Sequence, residues 1–192
     1  MNLTIIGTGF IGTTLGRTLT DSGNHVTFGS RHPGDEQVTV PGARIAAIGD
    51  AIPGSDAIIL AIPGAAVADL SSRYGEDLAG KLVIDATNRM GEPVANSRAM
   101  LPPTVRYARA FNTLGGENFA DPVFSEGRAD MFFSAPEDDR QLVEDVIAGV
   151  GLRPVYVGED QEAIIDALFR LWIALALKQG RGRRIALRLM ED

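Results

Sequence analysis

The chain has 192 residues, a formal net charge of -7, no cysteine and two histidines. Its length fits one domain, and its composition excludes disulfides and thiolate metal sites and argues against a histidine-based zinc site. The acidic balance argues against nucleic-acid binding, because phosphate contacts need clustered Lys and Arg.

Short apolar runs alternate with helical patterns along the chain, which predicts parallel β-α units. Strands are predicted at 3–7, 25–30, 43–47, 56–63, 81–88, 104–112, 129–136 and 153–159. Helical spacing covers 10–23, 65–75, 137–151 and, with an interruption at 179–184, residues 161 to about 190. We therefore expect one α/β domain over 1–192, with 160–192 as a C-terminal helical extension.

Neither a signal peptide nor a membrane span is predicted. The N-terminus continues directly into a strand and lacks the apolar run and cleavage site of a signal peptide. The most apolar stretch, 163–177, is too short to cross a bilayer and contains Asp166 and Arg170. We expect a soluble, cytoplasmic protein with no membrane partner.

The stretch "IIGTGFIGTTLG" places Gly7, Gly9 and Gly12 in the spacing G-x-G-x-x-G, after an apolar strand and before a helical pattern. In that setting the glycines allow a tight turn, close approach of the backbone to a pyrophosphate, and close helix packing. The motif predicts a Rossmann-type, doubly wound, mainly parallel sheet whose loop, including Thr8, binds a dinucleotide. The alternative is a tight turn without a ligand.

Two apolar residues follow the second glycine of the loop. Phe10 and Ile11 are expected at the mouth of the site, although ordinary core packing is the better expectation for Ile11. Both are kept as candidate cofactor-binding residues.

The end of the second strand indicates which dinucleotide is bound. An acidic residue is expected about 20 positions beyond the glycines, which falls near His32, but the strand ends in Ser30 and Arg31. Asp35 and Glu36 come only after a Pro-Gly turn. A guanidinium and a hydroxyl suit an adenosine 2'-phosphate, so NADP is preferred over NAD. The alternative for Arg31 is a solvated surface residue. His32 either stacks near the adenine or adds a weak phosphate contact, or it is a solvated loop residue.

Further candidates follow later strands, because ligands of parallel sheets lie beyond the carboxyl ends of the strands. Ala61, Ile62 and Pro63 are expected to line the nicotinamide ribose. Asn88 and Asn112 are candidate hydrogen-bonding groups there, and Thr113 is a further polar group. Asp85, inside an apolar strand, is expected to be a structural acid.

No catalytic residue is identified. The sequence contains no Ser/His/Asp arrangement and no carboxylate pair with a clear role, and Lys81 and Lys178 are poorly placed for catalysis. Hydride transfer between two redox cofactors asks little acid-base work of the protein, whereas ketone reduction more often needs a proton donor.

Three stretches resemble NADP-dependent oxidoreductases related to the coenzyme F420 (deazaflavin) NADP reductases: "TIIGTGFIGTTLGRTLTDSGNHVTFGSR", "KLVIDATN" and "RAFNTLGGENFADP". The resemblance implies NADP(H) bound by Gly7 to Gly12, with Ser30 and Arg31 on the 2'-phosphate. It also implies a shallow cleft for a flat second redox cofactor, a deazaflavin or a flavin, and a homodimer. Phe10 departs from the polar residue that the deazaflavin enzymes often carry, which leaves the second substrate open.

The C-terminal segment adds a basic cluster, Lys178, Arg181, Arg183, Arg184 and Arg188, within an acidic chain. A solvated helix end is the first interpretation, and binding of an anionic tail of the second cofactor is the other. The aromatic residues Phe169 and Trp172 are expected in core or dimer packing, with ring stacking as the minority view.

Three functions remain open at this point. The first is hydride exchange between NADP(H) and a deazaflavin or a similar flat acceptor. The second is NADPH-dependent reduction of a small carbonyl, imine or metal substrate. The third is a non-catalytic NADP(H) sensor that signals through a partner.

Overall fold

Strands and helices alternate through most of the chain in the computed structural model, which describes residues 1–34, 40–88 and 96–191. In chain order the elements are β1 (Asn2–Ile6), α1 (Phe10–Asp21), β2 (His25–Ser30), β3 (Arg44–Ala47), α2 (Ile48–Ala51), β4 (Ala57–Leu60), α3 (Val67–Leu78), β5 (Leu82–Asp85), β6 (Arg106–Arg109), α4 (Glu117–Ala120), β7 (Val123–Phe124), β8 (Gly127–Arg128), β9 (Asp130–Phe133), α5 (Arg140–Gly149), β10 (Arg153–Tyr156) and α6 (Glu162–Ile173). A π-helical turn, Ala174–Lys178, continues α6.

The main sheet has six strands in the order β3-β2-β1-β4-β5-β6, all of them parallel. β9 and β10 form a parallel pair, and an antiparallel bridge between Arg109 and Ser134 joins that pair to β6. The chain reverses its direction of travel across the sheet between β1 and β4, which is where dinucleotides bind in doubly wound folds. The predicted Rossmann-type, mainly parallel α/β fold with a C-terminal helical segment is confirmed.

The core explains why the central strands read as unbroken apolar runs. Side chains of β1, β4 and β5 alternate between the two faces of the sheet, and both faces are covered by helices. One face packs on α1 and α5, and its buried side chains include Leu3, Ile5, Ile59, Ile84, Leu15 and Ile147. The other face packs on α3, and its buried side chains include Ile6, Ile58, Leu60, Val83, Val67 and Leu70.

The helix ends at Lys178, where the sequence predicts an interruption at 179–184, but the predicted return to helix up to about residue 190 is wrong, because residues 185–191 are not helical. Gly180 and Gly182 have φ angles of 66° and 79°, a left-handed conformation that stops a helix. The chain then packs on α4 and the β7–β8 hairpin through arginine side chains. The short elements α2, α4, β7 and β8 were not predicted, since two to four residues carry too little periodicity.

Two further features concern the described ranges 1–34, 40–88 and 96–191. No helix there is long and apolar enough to cross a membrane. No group of three or more His, Asp or Glu side chains there is placed to hold a metal ion.

Candidate functional site

The glycine loop between β1 and α1 has the steric properties that the motif predicts. Gly7 has a φ of +123°, and a Cβ at this residue would lie 2.4 Å from the carbonyl oxygen of Ala61. A Cβ at Gly12 would lie 2.0 Å from the carbonyl oxygen of Gly7. Gly9 differs, because nothing lies within 4 Å of a Cβ built there. Two glycines therefore permit internal packing, and the middle one keeps a surface open.

The start of α1 is suited to an anion. Gly9 is the N-cap residue, and no side chain caps this end of the helix. The first N–H groups of a helix have no partner within the helix, and together with the helix dipole they attract phosphate. The loop can hold a pyrophosphate, and a Cβ at Gly9 would stand in the space that this group needs.

A cleft of ≈ 320 Å³ opens beside this loop and is called the first cleft. Its lining comes from the glycine loop, the end of β2, the segment after β4 and one face of α3, and includes Gly7, Thr8, Gly9, Gly29, Ser30, Arg31, Ala61, Ile62, Pro63, Asp69, Arg73 and Tyr74. Most of the residues predicted to bind cofactor on this side of the sheet therefore line one cleft at the carboxyl ends of β2, β1 and β4.

The end of β2 presents Arg31 to the first cleft. Ser30 is buried, and its Oγ accepts a hydrogen bond from the backbone N–H of His32 at 2.9 Å. The Arg31 side chain is exposed and forms no ion pair within the described parts of the chain. His32 is exposed and does not line the cleft. Asp35 and Glu36 lie outside the described residues.

The first cleft also contains charges that were not predicted. Arg73 and Asp69 lie one turn apart on α3 and form an ion pair with Nε and Oδ1 3.0 Å apart. Both side chains are more than half exposed. Single charged residues on a helix carry no sequence signal for a ligand, because such pairs are common on solvated faces.

A second cleft of ≈ 130 Å³ lies on the other side of the first turn of α1. It is lined by Ile11, Ala86, Asn88, Phe111, Leu114, Gly116, Phe169, Trp172, Ile173, Leu177 and Arg183. Gly9 in the first cleft and Ile11 in the second belong to the same turn, so the two clefts adjoin along the edge of the sheet. Arg183 is the one ionisable side chain in this lining, as far as the described residues show.

Phe10 and Ile11 differ in environment. Phe10 is 61% exposed, as predicted for a residue at the mouth of the site. Ile11 is half-buried and packs against the main core, and it also lines the second cleft. The core packing expected for Ile11 is confirmed, and its place at the mouth of a ligand site stays a prediction.

Asn112 lies beneath the second cleft and does not line it. Its side chain is fully buried, and Nδ2 donates to the Thr87 carbonyl at 3.0 Å and to Asn88 Oδ1 at 3.2 Å. Asn112 Oδ1 has no partner among the described residues. The preceding residue, Phe111, has a φ of 67°, a strained conformation for a non-glycine residue. The loop after β6 thus supports Asn88 from below.

Asp85 is the structural acid that the sequence predicts. Its carboxylate accepts hydrogen bonds from the backbone N–H groups of Thr87 and Ser97, at 2.8 and 2.9 Å, and from the Tyr107 hydroxyl at 2.6 Å. Burial first, and then the negative charge of Asp85, raise the pKa of Tyr107. The Arg109 guanidinium, also fully buried, lies 3.2 Å from Asp85 Oδ2.

The aromatic wall of the second cleft lies on α6. Phe169 and Trp172 are stacked, with ring centroids 6.5 Å apart and an interplanar angle of 9°. The Arg183 guanidinium lies 5.5 Å from the centroid of the Trp172 ring and forms a double hydrogen bond with Glu117 at 2.8 and 3.0 Å. The hydrogen bond from Arg183 lowers the pKa of Glu117.

The predicted basic cluster divides in two: Lys178 and Arg181 are exposed at and just after the helix end, whereas the three later arginines contact the rest of the fold. Arg183 pairs with Glu117, Arg184 pairs with Asp121 at 2.5 Å, and Arg188 donates to the carbonyl of Glu126. These arginines fasten the C-terminal segment to the loop after β6 and to the hairpin. The anionic-tail interpretation of the cluster keeps only Arg183 as a residue of the cleft lining.

Comparison with known sequences gives a family match in the N-terminal part of the chain. Residues 2–89 match the model of the family NADP oxidoreductase coenzyme F420-dependent. The resemblance found in the sequence is thereby confirmed over the part of the chain that carries the glycine loop and the end of β2.

Solved structures share the fold over the whole chain. A protein from Arthrobacter sp. FB24, provisionally named an F420-dependent NADP reductase, superposes with a TM-score of 0.81 at 23% identity and full coverage of both chains. The hypothetical protein SMa0349 from Sinorhizobium meliloti superposes with a TM-score of 0.73 at 24% identity, over 100% of this chain and 96% of that one.

A reductive aminase from Aspergillus terreus, solved with NADPH and ethyl levulinate, is also similar in fold. Its TM-score is 0.72 at 24% identity, and the match covers 93% of this chain and 62% of the aminase. At this level of identity these likenesses establish the fold alone.

Proposed function

We propose that this protein is an NADP(H)-dependent oxidoreductase that transfers hydride between NADP(H) and a flat redox acceptor such as a deazaflavin or a flavin. One observation carries the proposal: the glycine loop and its cleft adjoin an apolar, aromatic second cleft whose described lining contains no carboxylate, histidine or lysine. The match of residues 2–89 to an F420-dependent oxidoreductase family supports it.

The dinucleotide lies across the carboxyl ends of the strands, from β2 past β1 and β4 to β5. Arg31 and Ser30 at the end of β2 hold the 2'-phosphate, and the glycine loop with the start of α1 holds the pyrophosphate. Ala61 to Pro63 contact the nicotinamide ribose, and Asn88 after β5 meets the nicotinamide side. Asn112 acts on the cofactor through Asn88, whose side-chain oxygen it binds.

The second cleft suits an acceptor that needs position more than proton transfer. When bound, the nicotinamide supplies or receives the hydride. The side chains of Ile11, Phe111 and Phe169 exclude water and present apolar faces to a ring, and Asn88 contributes a directed polar group. Arg183 brings a positive charge to the rim, where an anionic substituent of the acceptor can lie.

The structural neighbours favour one second candidate, reduction of an imine. An imine reductase from Streptomyces aurantiacus and the reductive aminase share this fold. Reduction of an imine uses a proton as well as a hydride. The described lining of the second cleft offers only Arg183 as an ionisable group, and its guanidinium does not give up a proton at neutral pH. This chemistry therefore ranks behind the flat acceptor.

A stopped-flow experiment tests the proposal. The protein is mixed with NADPH and, in separate runs, with oxidised coenzyme F420, oxidised flavin mononucleotide or a cyclic imine, and nicotinamide absorbance is followed. Turnover with a deazaflavin or flavin is expected. Turnover with the imine alone would replace the proposal by the second candidate, and tight NADPH binding without turnover would identify a sensor.

We also propose a homodimer, which the family resemblance implies, and a cytoplasmic location, which is the expectation from the sequence. The exposed side chains Ile164 and Leu171 lie on one face of α6 and are 43% and 45% exposed, which gives this helix an apolar surface for a second copy. Light scattering after size-exclusion chromatography measures the mass, and a monomer at micromolar concentration would contradict the dimer.

A further inference from the structure

We infer that the buried ion pair between Arg109 and Asp166 is a positioning device that fixes the distance between the two walls of the second cleft. The inference rests on the proposed function, because it assigns to this pair an effect on the acceptor and not on NADPH. It concerns residues that touch neither the dinucleotide edge nor the open surface of the cleft.

The guanidinium of Arg109 contacts both walls. Nη1 donates to the Thr87 carbonyl at 2.6 Å, one residue before Asn88. Nε and Nη2 donate to Asp166 Oδ1 at 3.1 and 2.8 Å, one helical turn before Phe169. Asn88 and Phe169 line the second cleft from opposite elements. One planar group therefore sets how far α6 lies from the segment after β5.

Burial makes this arrangement costly, and stability alone does not explain it. The side chain of Arg109 is 0% exposed and that of Asp166 is 8% exposed. A buried ion pair often adds no more stability than apolar residues of similar volume, and its better attested role is to fix one register. The five donors of Arg form a rigid fork, so the bond to Thr87 and the bonds to Asp166 are held at a fixed geometry relative to one another.

Further contacts hold the two groups that Arg109 joins, the segment at Thr87 and the Asp166 side chain on α6. Asp85 lies 3.2 Å from Arg109 and binds the backbone N–H of Thr87. On α6, Asp166 Oδ2 accepts a hydrogen bond from Asn96 Nδ2 at 3.1 Å. A slide of α6 by a fraction of a helical turn would break the bonds to Asp166 without breaking those to Thr87, so α6 is the wall that depends on the pair.

The chain offers a matched control on the same helix. Glu162 lies four residues before Asp166 and is also a carboxylate paired with an arginine, Arg98. Arg98 is half exposed, stacks over Tyr107 and lines neither cleft. Asp166→Asn and Glu162→Gln thus remove equivalent charges from α6, and only the first acts on the cleft.

Trp172 supplies a direct probe, since it is the single tryptophan of the chain and lies in the cleft wall on α6. In Asp166→Asn we expect a red-shifted emission of Trp172 without ligand and weaker energy transfer from Trp172 to bound NADPH. With coenzyme F420 as acceptor we expect kcat/KM to fall about 10- to 100-fold, because small misplacements of reacting groups are costly. The Kd of NADPH should change less than about twofold.

Glu162→Gln should leave Trp172 emission and acceptor kinetics at wild-type values. Equal effects of the two variants on both readouts would overturn the inference, and so would a normal emission and normal kinetics in Asp166→Asn. If Asp166→Asn does not fold, Arg109→Lys takes its place: it keeps the buried cation, but one ammonium cannot reproduce both sides of the fork. If wild type shows no turnover with any acceptor, the proposed function fails, while Trp172 emission still decides the inference.

Discussion

The two clefts differ in how they are built. In the first cleft the proposed phosphate-binding groups come from one short loop and the end of the neighbouring strand, while the segment after β4 and one face of α3 complete the lining. The second cleft draws its lining from five separate parts of the chain, including α6 and Arg183 near the C-terminus. Buried side chains such as Arg109 hold those parts together. The comparison teaches that the proposed phosphate-binding groups of the first cleft are encoded locally, whereas the second cleft depends on long-range contacts.

The largest expected effect comes from a substitution in the glycine loop. Gly12→Ala places a methyl group 2.0 Å from the Gly7 carbonyl, so α1 must move and NADPH binding should be lost. A destabilisation of about 1–3 kcal/mol should accompany the loss. Calorimetric titration with NADPH and urea unfolding measure the two effects.

Gly9→Ala is expected to weaken ligand binding without affecting folding. Nothing lies near a Cβ at this residue, so stability should remain that of wild type, while the Kd of NADPH rises about 10- to 100-fold. Gly54→Ala, at an equally open but remote glycine, is the control and should change neither quantity. Normal NADPH binding by Gly9→Ala would refute the placement of the pyrophosphate.

The second effect concerns the choice between NADPH and NADH. Arg31→Ala should raise the Kd of NADPH about 10- to 100-fold, because bonds to charged groups contribute about 1.5–3 kcal/mol, and should leave the Kd of NADH almost unchanged. Arg73→Ala is the matched control in the same cleft, since Arg73 is already paired with Asp69. Equal losses for both dinucleotides in Arg31→Ala would remove the 2'-phosphate from this residue.

The same contrast explains what could be read from the sequence. Local features of the sequence, namely a tight turn, an open backbone surface and a strand end, predicted the roles of Gly7, Gly9, Gly12 and Arg31. Such features can be recognised without knowing the fold. The mainly parallel sheet followed from unbroken apolar runs alternating with helical spacing. These features depend on neighbours within a few residues.

The remaining features depend on partners far along the chain. Asn112 was expected to bind the cofactor, and the structure places it under Asn88, because the turn at Phe111 directs it inward. The predicted return to helix after the interruption at 179–184 is wrong, since no local pattern shows that Arg183 pairs with Glu117, 66 residues away. A pairing of that kind is set by tertiary packing, which a periodic pattern does not report.

The third effect is smaller and belongs to the second cleft. Asn112→Leu nearly preserves volume and removes the bond to Asn88, while the Thr87 carbonyl keeps its bond from Arg109. We expect kcat/KM for the acceptor to fall about 3- to 10-fold at a stability cost of about 1 kcal/mol, with an unchanged preference for NADPH over NADH. Steady-state kinetics with both dinucleotides measure this.

The control for this prediction lies next to it in the chain. Thr113 is equally buried but contacts Met131 and not Asn88, so Thr113→Val should leave acceptor kinetics unchanged. A loss of NADPH selectivity in Asn112→Leu would mean that the two halves of the site are coupled and would break the distinction between the clefts.

The smallest effect is a pH dependence at the rim of the second cleft. Arg183 lowers the pKa of Glu117 below its usual 4.5, so this ion pair stabilises the fold above the ordinary pKa of a glutamate and loses its effect as pH falls through the lowered pKa. Glu117 is partly exposed, and solvent screening keeps the contribution below about 1 kcal/mol. Glu117→Gln should therefore be less stable than wild type at about pH 7, and the difference should vanish as pH falls through the lowered pKa of Glu117. Trp172 emission should change with Glu117→Gln at neutral pH, because Arg183 lies over its ring, and should not change with Glu144→Gln, which breaks an ion pair on α5. Identical pH profiles for wild type and Glu117→Gln would show that the pair between Arg183 and Glu117 does not help to hold the C-terminal segment over the cleft.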